Sequence, residues 1–121
     1  MIHNAIEKQQ LLQQGLNTSP EGYKTLHEQM QKIRDTCLSM NVELAELLEE
    51  LPWKPWKPVE HQQLNADAAL EEAVDVLIFF LDLWLYLCAF TDSGDPTTKL
   101  VEILNMKQNK NLNRIKKGEF K

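Results

Sequence analysis

Glycine is scarce, with four in 121 residues. A glycine-rich phosphate loop or a GxGxxG dinucleotide turn needs several glycines close together, so both are excluded. Cysteine is scarce too. Cys37 and Cys88 cannot supply a disulfide framework or a cysteine zinc site. Each falls inside an apolar helical pattern, so both are expected as reduced core residues of a cytoplasmic protein. The histidines His3, His27 and His61 have no partner at metal-ligand spacing, which argues against zinc. Basic charge is in deficit, 13 Lys and Arg against 18 Asp and Glu, for a net charge of −5. Neutralising phosphates along a duplex needs a basic face, so no nucleic-acid partner is expected. The opening MIHNAIEKQQ has no basic stretch leading into an apolar run, so no secretory signal is expected. No strand pattern, repeat, low-complexity segment or Ser-His-Asp order is visible.

What remains is helical, and 1–121 reads as a single all-α domain of four-helix type. The first helix is expected from about Ile2 to Leu16. Asn17-Thr18-Ser19-Pro20 then breaks the chain and offers an N-cap serine and an N1 proline. The second helix is expected from about Glu21 to Leu51. Its apolar residues Leu26, Met30, Ile33, Cys37, Met40, Leu44, Leu47 and Leu51 alternate by four and three, the stripe of a bundled helix. Pro52 stops it and opens the loop Pro52-Trp53-Lys54-Pro55-Trp56-Lys57-Pro58. The third helix starts near Asn65 or Ala66 and runs to about Thr91. Asp95 and Pro96 suit the N-cap and N1 of a fourth helix reaching about Ile115, with 115–121 a frayed tail. The run from Ala73 to Phe90 is long enough to raise the question of a membrane span. Asp75 and Asp82 interrupt it, at a few kcal/mol each in lipid, about the cost of an acid at a bilayer centre. No membrane partner is therefore expected. The better reading is a helix buried on nearly all sides, which in so short a chain implies a partner subunit.

Two carboxylate pairs carry the chemistry. Glu43 and Glu46 are three apart on the second helix, and Glu72 and Asp75 three apart on the third. Residues at i and i+3 share a helix face, so antiparallel neighbours joined by the Trp-Lys loop can bring the pairs together. Four gathered carboxylates repel unless cations neutralise them, and hard oxygen ligands select Mg²⁺, with Mn²⁺ as a substitute. A Glu-x-x-Glu by itself is common on solvated faces. Asp75 is less easily dismissed, because an acid inside the most apolar segment calls for a cation or a hydrogen-bonded partner.

The order Glu43-x-x-Glu46, 25 intervening residues, then Glu72-x-x-Asp75 resembles the metal signature of the all-α NTP pyrophosphatases. That superfamily includes dimeric dUTPases, phage dCTP/dUTP pyrophosphatases and MazG-like proteins. Three further segments are similar to the dimeric dUTPase/dCTPase branch. Trp53-Lys54-Pro55-Trp56-Lys57 resembles its W-K-x-W-K loop, which implies that Lys54 and Lys57 contact the triphosphate. The plain alternative is a capping loop whose tryptophans plug the bundle end. Lys107, Asn111, Arg114 and Gly118 resemble its K-x-x-x-N-x-x-R-x-x-x-G segment, implying a phosphate clamp on the fourth helix; a basic helix end favouring its own dipole is the alternative. The tail departs from the family where Glu119 follows the glycine, since an aromatic usually stands there and Phe120 comes one later. Leu12-Gln13-x-x-Leu16-Asn17 is similar to the family's L-Q-x-x-L-N, which implies that Gln13 and Asn17 help read base and sugar.

On the third helix, the resemblance implies that Phe79 lines the base pocket, although Ile78 stands where a histidine is frequent. Asp82 falls where dUTPase-like members carry a small polar residue such as Asn. An ionised Asp can only accept hydrogen bonds, so it suits a base with an exocyclic amino group, or pairs with a lysine across a dimer. The expectation is therefore a homodimeric, Mg²⁺-dependent enzyme converting a dNTP, dUTP or dCTP above others, to dNMP and pyrophosphate. Glu43, Glu46, Glu72 and Asp75 would hold the metal, with Glu46 orienting the attacking water. The rivals are a MazG-like house-cleaning enzyme for another or modified nucleotide, and a non-catalytic helical interaction module.

Overall fold

The structure, a computed structural model, describes residues 1–58 and 64–118. His61, Glu119 and Phe120 lie outside the described residues. Four α-helices and no strand are found among those described: α1 (Ile2–Gly15), α2 (Leu26–Glu49), α3 (Ala66–Phe90) and α4 (Pro96–Lys116). The all-α expectation holds. α3 is the mast of the molecule, packed most extensively against α2 and also touching α1, α4 and the short 3-10 turn Pro20–Gly22.

Local chemistry sets the helix ends. Asn65 caps α3 by accepting the Ala68 N–H at 3.1 Å, and Asp95 caps α4 by accepting the Thr98 N–H at 2.8 Å. α1 ends as Thr18 N–H reaches the Gln13 carbonyl at 2.8 Å and Asn17 N–H the Gln14 carbonyl at 3.2 Å. This paired closure places Asn17 in the left-handed region at φ 59°. Asp92 does the same after α3, at φ 51°. Gly118, at φ 71°, terminates α4 where a side chain would be strained. The helical part of that segment runs through Lys116, one residue beyond the expected end.

Two expectations about α2 are corrected. Ser19-Pro20 launches only the 3-10 turn Pro20–Gly22, and Ser19 makes no side-chain cap. α2 starts at Leu26 instead, where Thr25 Oγ1 accepts the Glu28 N–H at 3.1 Å and donates to the Glu28 carboxylate at 2.9 Å. The packed face is also rotated from the apolar stripe. Ile33, Thr36, Met40, Glu43 and Leu47 are buried or half-buried, while Leu26, Met30, Cys37 and Leu44 are exposed. Cys37 is thus a surface residue rather than a core one, whereas Cys88 is buried as expected. Polar positions take part in the α2–α3 seam. Thr36 is one, and its hydroxyl is satisfied by the Lys32 carbonyl at 2.7 Å.

The core is small and lies toward one end. Ile6, Leu81 and Leu85 form its centre, with Ala5, Phe80 and Leu100 packed around it. Trp84 donates its indole N–H to the Pro96 carbonyl at 2.8 Å and so anchors the start of α4. Tyr86 donates its hydroxyl to the Thr18 carbonyl at 2.6 Å, tying the end of α1 to α3. Tyr23 and Phe90 pack on the Tyr86 ring, and the Lys32 ammonium lies 5.4 Å from its centre. Away from this end the packing thins. Leu70, Val74, Leu77 and Ile78 on α3 are exposed, so within one chain the helix is not buried on all sides. α3 is long and apolar enough to cross a membrane by length and composition, yet its faces pack on α1 and α2. α4 is solvent-exposed from Leu104 onward.

Candidate functional site

Three of the four expected acids, Glu43, Glu46 and Glu72, come together across the α2–α3 seam. Glu43 and Glu46 project from the last turns of α2, Glu72 from the second turn of α3, and the antiparallel seam sets them face to face. One carboxylate oxygen of each lies within 4.8 Å of the others. Asp75 stands one turn beyond Glu72 and is half-buried. It falls outside that tight triad, but its charge is felt by both Glu43 and Glu72.

The electrostatics are unfavourable for the acids as they stand. Glu43 is pushed up to about 7, first by desolvation, then by hydrogen bonding and charge from Glu46, then by the charges of Asp75 and Glu72. Glu72 is also raised, by desolvation first and then by Glu46 and Asp75, while a hydrogen bond from Glu43 acts the other way. Oε2 of Glu43 and Oε2 of Glu72 are both buried without a hydrogen-bond partner. An oxygen shut off from water without a partner is unfavourable, more so if charged, and the chain brings two together. Hard, oxygen-rich and short of positive charge, this donor set fits a divalent cation such as Mg²⁺. Glu46 is the one member of the triad open to solvent.

The other expected site residues are dispersed. The Trp-Lys loop follows α2 directly, but its tryptophans do not plug the bundle. Trp53 and Trp56 meet edge to face at 5.6 Å, and Trp56 remains 67% exposed. The Lys54 ammonium lies 5.9 Å from the Trp53 ring centre, and Lys57 closes a turn onto the Lys54 carbonyl. Lys107, Asn111 and Arg114 sit on the exposed part of α4, and α4 does not pack against α2. Phe79 is half-buried on α3. Asn17 occupies the left-handed position that closes α1, a local reason for its identity.

Asp82 has partners that sequence reasoning did not assign. Its Oδ1 accepts the side-chain amide of Gln9 at 2.8 Å and that of Gln13 at 2.9 Å. Gln9 and Gln13 are only 6% and 2% exposed. Gln9 was missed because glutamines crowd α1. The available signal was its four-residue spacing from Gln13, which puts both on one helix face. A cavity of about 460 Å³ adjoins this clasp, lined by Gln10, Gln13, Gln14, Tyr23, Leu85 and Phe90 among others. Leu85 lies 13 residues beyond Glu72 on α3, roughly 20 Å along the axis. The cavity is thus well separated from the acids, which sit on an open seam.

The sequence profile of a family described as dUTPase matches residues 5–118. No curated protein matches, and no solved structure does.

Proposed function

The chain belongs to the dUTPase family, and from that premise we propose that it is a Mg²⁺-dependent nucleotide pyrophosphatase converting a dNTP to dNMP and pyrophosphate. dUTP and dCTP are the first candidates as substrate. The observation that carries the reading is the pair of buried, unpartnered oxygens on Glu43 and Glu72 within the Glu43–Glu46–Glu72 cluster. Such oxygens are costly in a fold that uses them only structurally, and they are the ligands a divalent cation takes.

Glu43, Glu46, Glu72 and Asp75 would hold Mg²⁺, with Mn²⁺ a possible substitute. When bound, the ion supplies charge for the phosphate oxygens and lowers the pKa of water. Glu46, the solvent-open member, orients the attacking water and accepts its proton. A water oxygen bonds to phosphorus, the bond from phosphorus to the bridging oxygen breaks, and pyrophosphate departs with the electron pair. Lys54 and Lys57, on a loop stiffened by Pro55, neutralise the triphosphate next to the acids. Lys107, Asn111 and Arg114 serve as its clamp, while Gln13, Asn17, Phe79 and Asp82 form the base and sugar side.

A homodimer belongs to this reading. The chain exposes 9042 Å², whereas a compact 14.1 kDa monomer exposes roughly 6,700 Å². The excess, roughly 2,300 Å² per chain, is of the size that permanent dimers bury. It includes Leu70, Val74, Leu77 and Ile78 beside the acids and Leu104, Met106, Leu112 and Ile115 on α4. A second copy covering these faces also brings the basic part of α4 within reach of an acidic cluster. The enzyme is read as soluble and cytoplasmic.

The test is pyrophosphate release from dUTP, dCTP, dATP, dGTP and dTTP with Mg²⁺ or EDTA, beside Glu72→Gln. Metal-dependent release lost in Glu72→Gln supports the reading. No release from any of the five overturns it, leaving a modified nucleotide or a helical interaction module.

A further inference from the structure

We propose that Asp82 is a positioning residue that sets base preference by locking the side-chain amide of Gln13 in one orientation. The inference rests on the nucleotide reading above and goes beyond it in naming how the base is selected. Asp82 Oδ1 takes the amide nitrogens of both Gln9 and Gln13, at 2.8 and 2.9 Å. An ionised carboxylate accepts and never donates, so it fixes which end of each amide faces it. The nitrogen of Gln13 turns inward and its carbonyl oxygen turns away. A glutamine on a surface flips its amide at little cost. This one is 2% exposed, is held at both backbone and side chain, and lines the cavity between α1 and α3.

The consequence is chemical. With its nitrogen engaged by Asp82, what Gln13 presents to a ligand is a hydrogen-bond acceptor of fixed direction. The site therefore selects a base that brings an N–H donor to that point, an exocyclic amino or a ring imide, and rejects one that brings a lone pair. Asp82 itself does not read the base through Oδ1, which two amides already occupy. Its place on α3 agrees with this. Asp82 is seven residues past Asp75, roughly 10 Å along the axis. On the nucleotide reading, phosphates held at the acids would leave the base to reach along α3 toward this clasp.

The experiment measures kcat and KM for the five dNTPs in the wild-type chain, Asp82→Asn and Ile6→Ala. Asn both accepts and donates, so it releases Gln13 to present either end. Ile6→Ala opens the neighbouring core without touching the clasp. The expected result is that Asp82→Asn narrows the kcat/KM ratio of best to second-best base by about tenfold or more, through KM. Ile6→Ala keeps the wild-type ratio. An equal loss on every base, or an unchanged ratio, overturns the proposal. Side-chain ¹⁵N resonances of wild type and Asp82→Asn give a second reading without turnover. The Gln13 amide protons should resist exchange in wild type and exchange like those of Gln10 in the variant. If wild type hydrolyses nothing, the nucleotide reading fails, and Gln13 protons that exchange as fast as those of Gln10 in wild type overturn the lock as well.

Discussion

The two halves of α3 follow opposite rules. From Leu81 to Cys88 the helix is buried or half-buried, and its polar groups are matched: Asp82 by two glutamine amides, Tyr86 by the Thr18 carbonyl, Trp84 by the Pro96 carbonyl. From Leu70 to Ile78 apolar side chains face outward, while Glu72 keeps a buried oxygen with no partner. The first half holds a single chain together. The second carries the groups for which we propose an outside partner, a cation for the acids and a second copy for the apolar face. Stability and function thus sit a few turns apart on one helix, and substitutions in the two halves should respond with opposite signs.

The largest effect should come from Glu72→Gln. Losing one ligand of the cluster lowers pyrophosphate release roughly a hundredfold or more. The same substitution removes a repelled carboxyl, so EDTA-treated Glu72→Gln should melt above EDTA-treated wild type. A coupled loss of both activity and melting temperature would erase the contrast between the halves. At the packed end, Leu85→Ala should cost about 2–5 kcal/mol in a denaturant titration, the range for a buried leucine truncated in a tight core. A cost near that of a surface site would mean that end is no core.

The acid end should also show in pH. Glu43 stands at about 7 in the folded chain against an ordinary 4.5. Between those values the folded state keeps a proton that the unfolded state releases, so stability falls as pH rises through this window. EDTA-treated protein should therefore lose melting temperature from about pH 4.5 to 7, and Mg²⁺ should flatten or reverse the trend. Glu43→Gln should remove it. The smallest effect belongs to the cap of α4. The carboxyl of Asp95 is held below its usual 3.8 by the Thr98 N–H and then the Thr98 hydroxyl. Asp95→Ala should lower the melting temperature slightly near neutral pH. That difference should fade as acid protonates the wild-type carboxyl, because a lowered pKa stabilises only above its range.

The helices and their breaks were legible because capping and proline chemistry are local. Asn65, Asp95-Pro96 and Pro52 each act within a turn of where they stand. The start of α2 was also written in the chain, in the Thr25-Leu26-His27-Glu28 capping box, but Ser19-Pro20 offered a competing start and folds only one 3-10 turn. The packed face of α2 was harder to read. Thr36 and Glu43 occupy seam positions, so the apolar stripe points aside from the contact and leaves Cys37 outside. The acid pairs were legible because i and i+3 spacing fixes a shared face before any tertiary contact is known. The Gln9–Gln13–Asp82 clasp was not. Its partners lie 69 and 73 residues apart, and nothing in a single sequence encodes that pairing. Lys107, Asn111 and Arg114 come only from the family resemblance, and on the exposed part of α4 they meet the acids only in the homodimer we propose.

The proposed activity stands on a divalent-cation site at the Glu43 and Glu72 carboxylates, each of which keeps one oxygen without a partner. Calorimetric titration of EDTA-stripped, dialysed protein with Mg²⁺ tests it most directly, with Glu72→Gln and Leu85→Ala alongside. Saturable binding in wild type, kept in folded Leu85→Ala and lost in Glu72→Gln, is the predicted result. Wild-type protein that takes up no Mg²⁺, or Glu72→Gln that binds it as well as wild type, would contradict the account.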